Sequence, residues 1–458
     1  MISLLFGIAY FGFVAWFFRA HRAVFLASAF LLFSFSLRVA GTVYIDLYGP
    51  IFATELGYDV GPGESTPLFV LCIVAALTMF ILMQRKIRIK PENVAKTPFG
   101  MAPRVVLNIG FAVCTLVVTA IYVDMLMQGV VPLFVGMDRL EYKYNYAGPL
   151  YDIAYENCML LSLMFGFFFA FSRIKFGRYD YRFVGVALAL FVYFALTGNR
   201  FSIFYLLTGY FAIPMSGVYL LRKNRLLPDE RSRGGLHKLV TSKAGRWLVA
   251  WFGIAIVLAM MFNNFFNVRY DPDKAPEAIF QRTLVQPSEL YFVTWQRMAG
   301  GELGDSSLAW ELMFGNPLDA TRNTGIQYLM VNALGENRAM EILDAQAQYA
   351  GGYPEVLIEL FGVPYFFVAL LLMAGMTGFM YRLAVMSAAN GRFLSAFLSV
   401  YLLFGFNTFY IGGMLNFLLP VTFWVKIAVL SVVLIVEPLI MQRPRQRLPV
   451  LAMPRVAS

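Results

Sequence analysis

The chain has 458 residues, 59% of them hydrophobic and only 14% charged, with a mean hydropathy of +0.66. A water-soluble fold of this length cannot hide so much apolar surface, so lipid must be part of its solvent. The net charge of +10 does not mark a nucleic-acid binder, because the basic residues fall in short loops beside apolar segments rather than on one basic face.

Crossing a bilayer takes about 17 to 25 apolar residues. Segments on that scale lie near 1–18, 23–48, 67–84, 104–128, 153–172, 182–197, 201–221, 247–267, 354–380, 393–412 and 417–440. The first is followed, not preceded, by Arg19 and Arg22 and has no small-residue cleavage site, so it reads as a retained helix with its N-terminus outside. From there the loops alternate in charge. The stretches 85–104, 173–182 and 222–246 and the tail after Met441 are basic, and 26 of the 37 Lys and Arg residues fall in these and the other alternate stretches. The intervening stretch 49–66 has no Lys or Arg and carries Glu55, Asp59 and Glu64. Retention of positive charge in the cytoplasm therefore predicts about eleven spans, N-terminus out and C-terminus in.

One outer stretch is much longer than the rest: 268–352 carries six basic and eleven acidic residues and is too polar to cross. Pro287 opens a predicted helix through SELYFVTWQRMA, and 306–314 and 336–349 also have helical spacing. The expected division is transmembrane helices 1–8 over 1–267, a mostly helical extracytoplasmic loop or lid over 268–352, helices 9–11 over 353–442 and a basic tail over 443–458. The short helices of the loop are expected to lie on the membrane surface. Cys72, Cys114 and Cys158 lie in or beside spans with no CxxC pattern, so neither a disulfide framework nor a zinc site is expected.

Arginines gather where outer helix ends meet the long loop. Arg200 sits in TGNRFS between two closely spaced spans and Arg269 follows the eighth; Arg282, Arg297, Arg322 and Arg338 come after. A guanidinium fits phosphate oxygens as a bidentate fork, which suits a lipid-linked phosphate or diphosphate, although snorkelling or pairing with the nearby acids explains any single one. Glu355 and Glu359 in GGYPEVLIELFG share a helical face at the expected start of the ninth span, where desolvation raises a carboxyl pKa and favours a proton acceptor. Capping of that helix and neutralisation of Arg is the competing reading. The two histidines, His21 and His237, fall on the expected cytoplasmic side, so an outer-face reaction needs a carboxylate or Tyr as base. The DPD at 271–273 is a weak metal signal, and no P-loop is present. Arg38, Asp124 and Lys426 lie inside spans, where charge is expensive and faces the bundle interior or a cavity. Arg38 is expected to pair with Asp124.

Many crossings, one long outer loop late in the chain, Gly198-Asn199-Arg200 at a tight outer turn and the GGYPEVLIELFGVPYFFVALLLMAGMTGFMYR segment together resemble the Wzy-type polymerases of oligosaccharide repeat units. That family's helix after the large loop carries a Glu-to-Gly pattern, matched here by Glu355 to Gly362 with one residue more, then by Gly375 and Gly378. The resemblance implies a GT-C-like membrane bundle in the bacterial inner membrane. It would join undecaprenyl-diphosphate-linked oligosaccharides into O-antigen or exopolysaccharide on the periplasmic face, with a chain-length regulator protein as the partner the resemblance suggests, without cofactor or metal. In that scheme Arg200, Arg269, Arg282 and Arg322 hold the diphosphate. Glu355, then Glu359, then Asp271 is the preferred base, and Tyr349, Tyr353 and Tyr270 stack on sugars. An O-antigen ligase or other lipid-phosphate-dependent glycosyltransferase is the nearest alternative, but that ligase family relies on an outer histidine. A transporter is the other, and the repeated halves it would normally show are not visible.

Overall fold

Hydrocarbon offers no water to the backbone, so each apolar run must satisfy its own N–H and C=O groups, which an α-helix does within one segment. The computed structural model describes residues 1–85, 87, 89, 91–137, 139–199, 201–227, 259, 275–303, 311, 325–344 and 351–442. It is an all-α polytopic membrane protein. Its helices are α1 (Ile2–Ala20), α2 (Arg22–Ala27), α3 (Ala29–Tyr48), α4 (Thr66–Gln84), α5 (Pro91–Ala95), α6 (Pro103–Met127), α7 (Pro132–Val135), α8 (Arg139–Asn145), α9 (Pro149–Glu156), α10 (Cys158–Phe176), α11 (Arg182–Leu196) and α12 (Phe201–Lys223). There follow α13 (Ala275–Phe280), a π-helical turn (Gln281–Val285), α14 (Gln286–Gly300), α15 (Ile326–Leu334), α16 (Glu336–Asp344), α17 (Glu355–Phe361), α18 (Tyr365–Ala389), α19 (Phe393–Gly412) and α20 (Val421–Ile440). Two short antiparallel pairs, β1 (Ile51–Ala53) with β2 (Tyr58–Val60) and β3 (Thr97–Pro98) with β4 (Met441–Gln442), complete the described residues.

Nine of the described helices, α1, α3, α4, α6, α10, α12, α18, α19 and α20, are long and apolar enough to cross a membrane. The expected sixth span is the shorter α11 of 15 residues, and the expected eighth, 247–267, lies outside the described residues but for residue 259. The expected ninth starts late. Gly362 has φ +64, a left-handed conformation that favours glycine, and Pro364 follows; together they end α17 and restart the chain as α18 at Tyr365. Glu355 and Glu359 therefore sit on a separate seven-residue helix and not on the span.

Two apolar cores hold the bundle. One joins α1, α3 and α4 to α14, α17, α18 and α19; the other joins α6 and α9 to α10, α11 and α12. Helix α12 packs on α10, α2, α3 and α18 and so links them. Helix α20 touches protein on one side only, leaving Trp424, Val425, Val429, Val432, Ile435 and Leu439 exposed as a lipid-facing stripe. The described parts of the basic stretches meet at one end. There the Lys175 ammonium donates to the carbonyls of Val94 and Lys96, Arg382 Nη1 donates to Met83 O at 2.9 Å, and β3 pairs with β4. The β1–β2 hairpin, α8, α9 and α13–α17 gather at the opposite end.

Three acids from membrane helices or their ends each terminate another helix. Asp46 in α3 accepts from the backbone N–H and hydroxyl of both Ser65 (3.1 and 2.9 Å) and Thr66 (2.8 and 2.6 Å) at the start of α4, and from Ser3 Oγ at 2.8 Å. Asp124 accepts from Leu150 N–H at 3.2 Å in the first turn of α9. Glu437 accepts from Leu394 and Ser395 N–H at 2.9 and 2.8 Å at the start of α19. A carboxylate at a helix N-terminus satisfies orphan amides and opposes the positive end of the helix dipole. Asp124 thus serves α9 and is not the partner expected for Arg38. Because Asp46 is buried and its donors have no water to turn to, Asp46→Ala should lower unfolding free energy by about 3 kcal/mol or more, judged from about 1.5–3 kcal/mol per charged hydrogen bond. A thermal melt of the purified protein in detergent measures it, and Asp46→Asn, which keeps part of the acceptor set, should fall between the two.

Candidate functional site

Arg38 lies ten residues before the end of α3, about 15 Å along the axis at 1.5 Å per residue. At that depth its guanidinium is 2% exposed and fully engaged. Nη2 donates to Glu355 Oε1 at 2.6 Å, Nε donates to Pro287 O at 2.7 Å, Nη1 donates to Tyr353 O, and the group lies 4.8 Å from the Phe69 ring centroid. Glu355 Oε1 also accepts from Gly352 N–H. The loop segments are therefore threaded between α3 and α4. Ser288 Oγ donates to Arg38 O at 2.8 Å, Tyr291 OH to Ser65 O at 2.9 Å and Tyr353 OH to Cys72 O at 3.0 Å. The π turn presses so close that a Cβ on Gly41 would stand 2.0 Å from Leu284 O. Helix α14 is thus not a surface helix, as expected, but a buried one: Ser288 through Thr294 are all buried. The stretch is helical as the sequence reading expects, but the helix does not begin at Pro287: α14 starts at Gln286 and continues without a break from the π turn, so the proline stands inside a helical run that opens at Ala275.

These contacts revise two site assignments. Glu355 is 0% exposed and ion-paired through Oε1, so it acts here as a clamp, while Oε2 is buried without a hydrogen bond among the described residues. Tyr353 is also fully buried, with its ring centroid 4.6 Å from that of Tyr410 and 6.0 Å from those of Phe35 and Phe409, so no face is left for a sugar. Glu359 is held by Arg297 Nε at 2.9 Å and by Asn332 Nδ2 at 3.4 Å; burial raises its pKa while Arg297 opposes the rise. Arg282 lies in the π turn packed on α3. Arg200, Arg269, Tyr270, Asp271, Arg322 and Tyr349 lie outside the described residues.

Glu289 of α14 is also fully enclosed, and neither carboxyl oxygen has a hydrogen-bond partner among the described residues. Desolvation, reinforced by the nearby Glu55, pushes its pKa up to about 9, so it is neutral at pH 7.

A cavity lies elsewhere among the described residues, a groove of about 690 Å³ walled by α3, α10, α12, α19 and α20. Phe30, Met159, Leu206, Phe404 and Phe423 line its apolar body. Its polar groups are Arg139, whose Nη1 donates to Tyr155 OH at 2.8 Å, the exposed Lys426, whose ammonium is 4.9 Å from the Tyr401 ring centroid, and Glu156. Glu156 is exposed and makes no hydrogen bond or ion pair among the described residues. Lys426 is foreshadowed by its charge inside a span. Arg139 and Glu156 were not singled out; Arg139 lies within the Tyr- and Gly-rich outer stretch 129–152, and Glu156 follows it by four residues. Groove and clamp share a wall: Gly412 lines the groove, Gly351 N–H donates to Ile411 O at 3.2 Å, and a Cβ on Gly352 would fall 1.9 Å from Gly413 N.

Removing one member of a buried ion pair strands the other, at about 3–5 kcal/mol. Glu355→Ala and Arg38→Met should each lose about that much in a detergent melt, and the double variant should lose much less than their sum. Additive losses would mean that the pair is uncoupled. The Glu289 carboxyl binds its proton more tightly folded than unfolded, so its stabilising contribution is complete below the unfolded pKa of about 4.3 and is lost as pH rises toward about 9. Melting temperature should therefore fall from pH 5 to pH 9 in the parent protein, and less steeply in Glu289→Gln, which carries no titrating proton there.

A family of unknown function (DUF6418) matches residues 319–425, less than a quarter of the chain, including the Gly351–Gly352 turn, both glutamates of α17 and Gly412–Gly413. No curated protein and no solved structure matches.

Proposed function

We propose that the chain is a Wzy-type polymerase that joins undecaprenyl-diphosphate-linked oligosaccharides, and that the α10–α12–α19–α20 groove receives the lipid diphosphate. What supports the reading is the groove itself: about 690 Å³ of mostly apolar wall between membrane helices, with two cations and a carboxylate on it. That volume falls within the usual range of about 300–1,000 Å³ for small-molecule sites, enough for the diphosphate, its first sugar and the start of the prenyl tail. The rest of the tail remains in lipid. On this reading the protein sits in the bacterial inner membrane with eleven spans and a GT-C-like arrangement, N-terminus out, and the loop-rich end faces the periplasm. Positive charge concentrated at the opposite end agrees with that orientation.

In the reaction the acceptor hydroxyl oxygen attacks the anomeric carbon of the donor sugar. The carbon–oxygen bond to the diphosphate breaks, and undecaprenyl diphosphate leaves with the bonding pair. Arg139 and Lys426 offset the growing charge on the leaving group, together with Arg200, three residues before the groove residue Ile203 in the chain. Arg269 and Arg322 remain candidates for the same role, with Tyr270 and Tyr349 for sugar stacking. Glu156 takes the acceptor proton, the base role that burial denies to Glu355.

The test is polysaccharide length in the source strain deleted for this gene and complemented with variants. Glu156→Gln keeps the side-chain size and removes the basicity, so the rate should fall about a hundredfold to ten-thousandfold, and long polymer should give way to single repeat units. Arg139→Ala and Lys426→Ala should each shorten the polymer, and Lys426→Arg should restore it in part. Normal polymer in all three loss variants would remove the groove from the reaction.

A further inference from the structure

A second cavity, of about 460 Å³, lies at the basic end between the first turn of α6 and the 177–181 turn that joins α10 to α11. Gly177, at φ +70, reverses the chain there and returns Arg178 and Arg182 toward Arg104. Three guanidinium groups thus border one cleft against a single carboxylate, Asp180. That carboxylate is occupied by Arg182, which grips it through Nε at 3.0 Å and Nη2 at 2.7 Å and rests 4.6 Å from the Phe111 ring centroid. Arg104 has no hydrogen bond or ion pair among the described residues, and Arg178 feels Asp180 only as a nearby charge. The cleft therefore carries surplus positive charge. The α6 N-terminus adds to it, since its cap residue Ala102 supplies no side-chain acceptor and Pro103 occupies the first position.

The surroundings indicate which anion fits. Tyr179 and Tyr181 flank the cleft, as tyrosines do at the boundary between water and lipid. Beyond it the exposed side chains become apolar, with Val105 and Ile109 on α6 and Leu188 and Val192 on α11, the latter two on the helical stripe that begins at the cleft residue Tyr181. A free phosphate would use only the arginines. A lipid would use the arginines and the adjoining apolar stripe together.

We propose that this cleft binds the phosphate headgroup of an anionic membrane phospholipid, with its acyl chains lying against the exposed faces of α6 and α11. The test uses the full-length protein in detergent micelles, titrated with short-chain phosphatidylglycerol, phosphatidylcholine or inorganic phosphate and read by native mass spectrometry and thermal shift. Phosphatidylglycerol should bind in preference to phosphatidylcholine. The Arg104→Gln/Arg178→Gln double variant should weaken that binding about tenfold or more, the loss expected from a charge-assisted hydrogen bond or two. Arg222→Gln/Arg225→Gln, an equal charge change at the same end outside the cleft, should leave it intact. Should the first double variant not fold, Arg104→Gln alone carries the same test, because Arg104 is exposed and has no partner to lose. The proposal is overturned if the cleft variants bind phosphatidylglycerol like the parent or if the control variant weakens binding equally. It is also overturned if inorganic phosphate displaces the lipid at equal concentration, which would make the cleft a soluble-anion site.

Discussion

A charge buried halfway along a membrane helix must be answered, and the answer given to Arg38 organises this molecule. Its guanidinium needs a counter-charge and acceptors in a place without water, and all of them come from the long polar loop and the short segment that follows it: Pro287 O, Tyr353 O and Glu355. The demand is mutual. The turn at 351–354 and the start of α14 carry backbone carbonyls to the same depth, where non-helical backbone is tolerated only if protein groups satisfy it. The cation and the broken backbone each supply what the other lacks. Such a pair adds little net stability over an apolar isostere, because desolvating both ions offsets much of their attraction, yet breaking it strands a buried charge.

The same economy recurs at the helix ends. Asp46, Asp124 and Glu437 would be costly in isolation, yet each lies against the N-terminal amides of a different helix. Long-range hydrogen bonds of this kind fix how far one helix slides along another, which uniform apolar packing in lipid specifies weakly.

Much of the architecture was legible in the sequence, because membrane helices are written as local, contiguous apolar runs. Glu336 marked a real helix start for the same local reason, whereas Pro287 lies within a run that is already helical from Ala275. The site was less legible. Glu355 and Glu359 have the spacing of one helical face, and nothing local reveals that Gly362 and Pro364 detach that helix from the span or that both carboxyls end inside protein. Arg38 was visible as an intramembrane charge, but its partner lies 317 residues away, and the nearer candidate, Asp124, was already committed to α9. Arg139 and Glu156 carry no motif at all; only the approach of α10 to α19 puts them on a common wall with Lys426.

That separation of 317 residues also has a consequence for biosynthesis. Ribosomes add about 5–20 residues per second, so α3 is made roughly 15–60 s before Glu355 exists. Throughout that interval the nascent chain holds a membrane helix with an unanswered arginine, at a cost near 2.5–3.5 kcal/mol on translocon scales. Until α17 arrives, the guanidinium must reach for water or lipid phosphate, which leaves α3 loosely seated. Final seating of the second span is therefore one of the last events of assembly, and a ribosome stalled before residue 355 holds a bundle whose centre is still open.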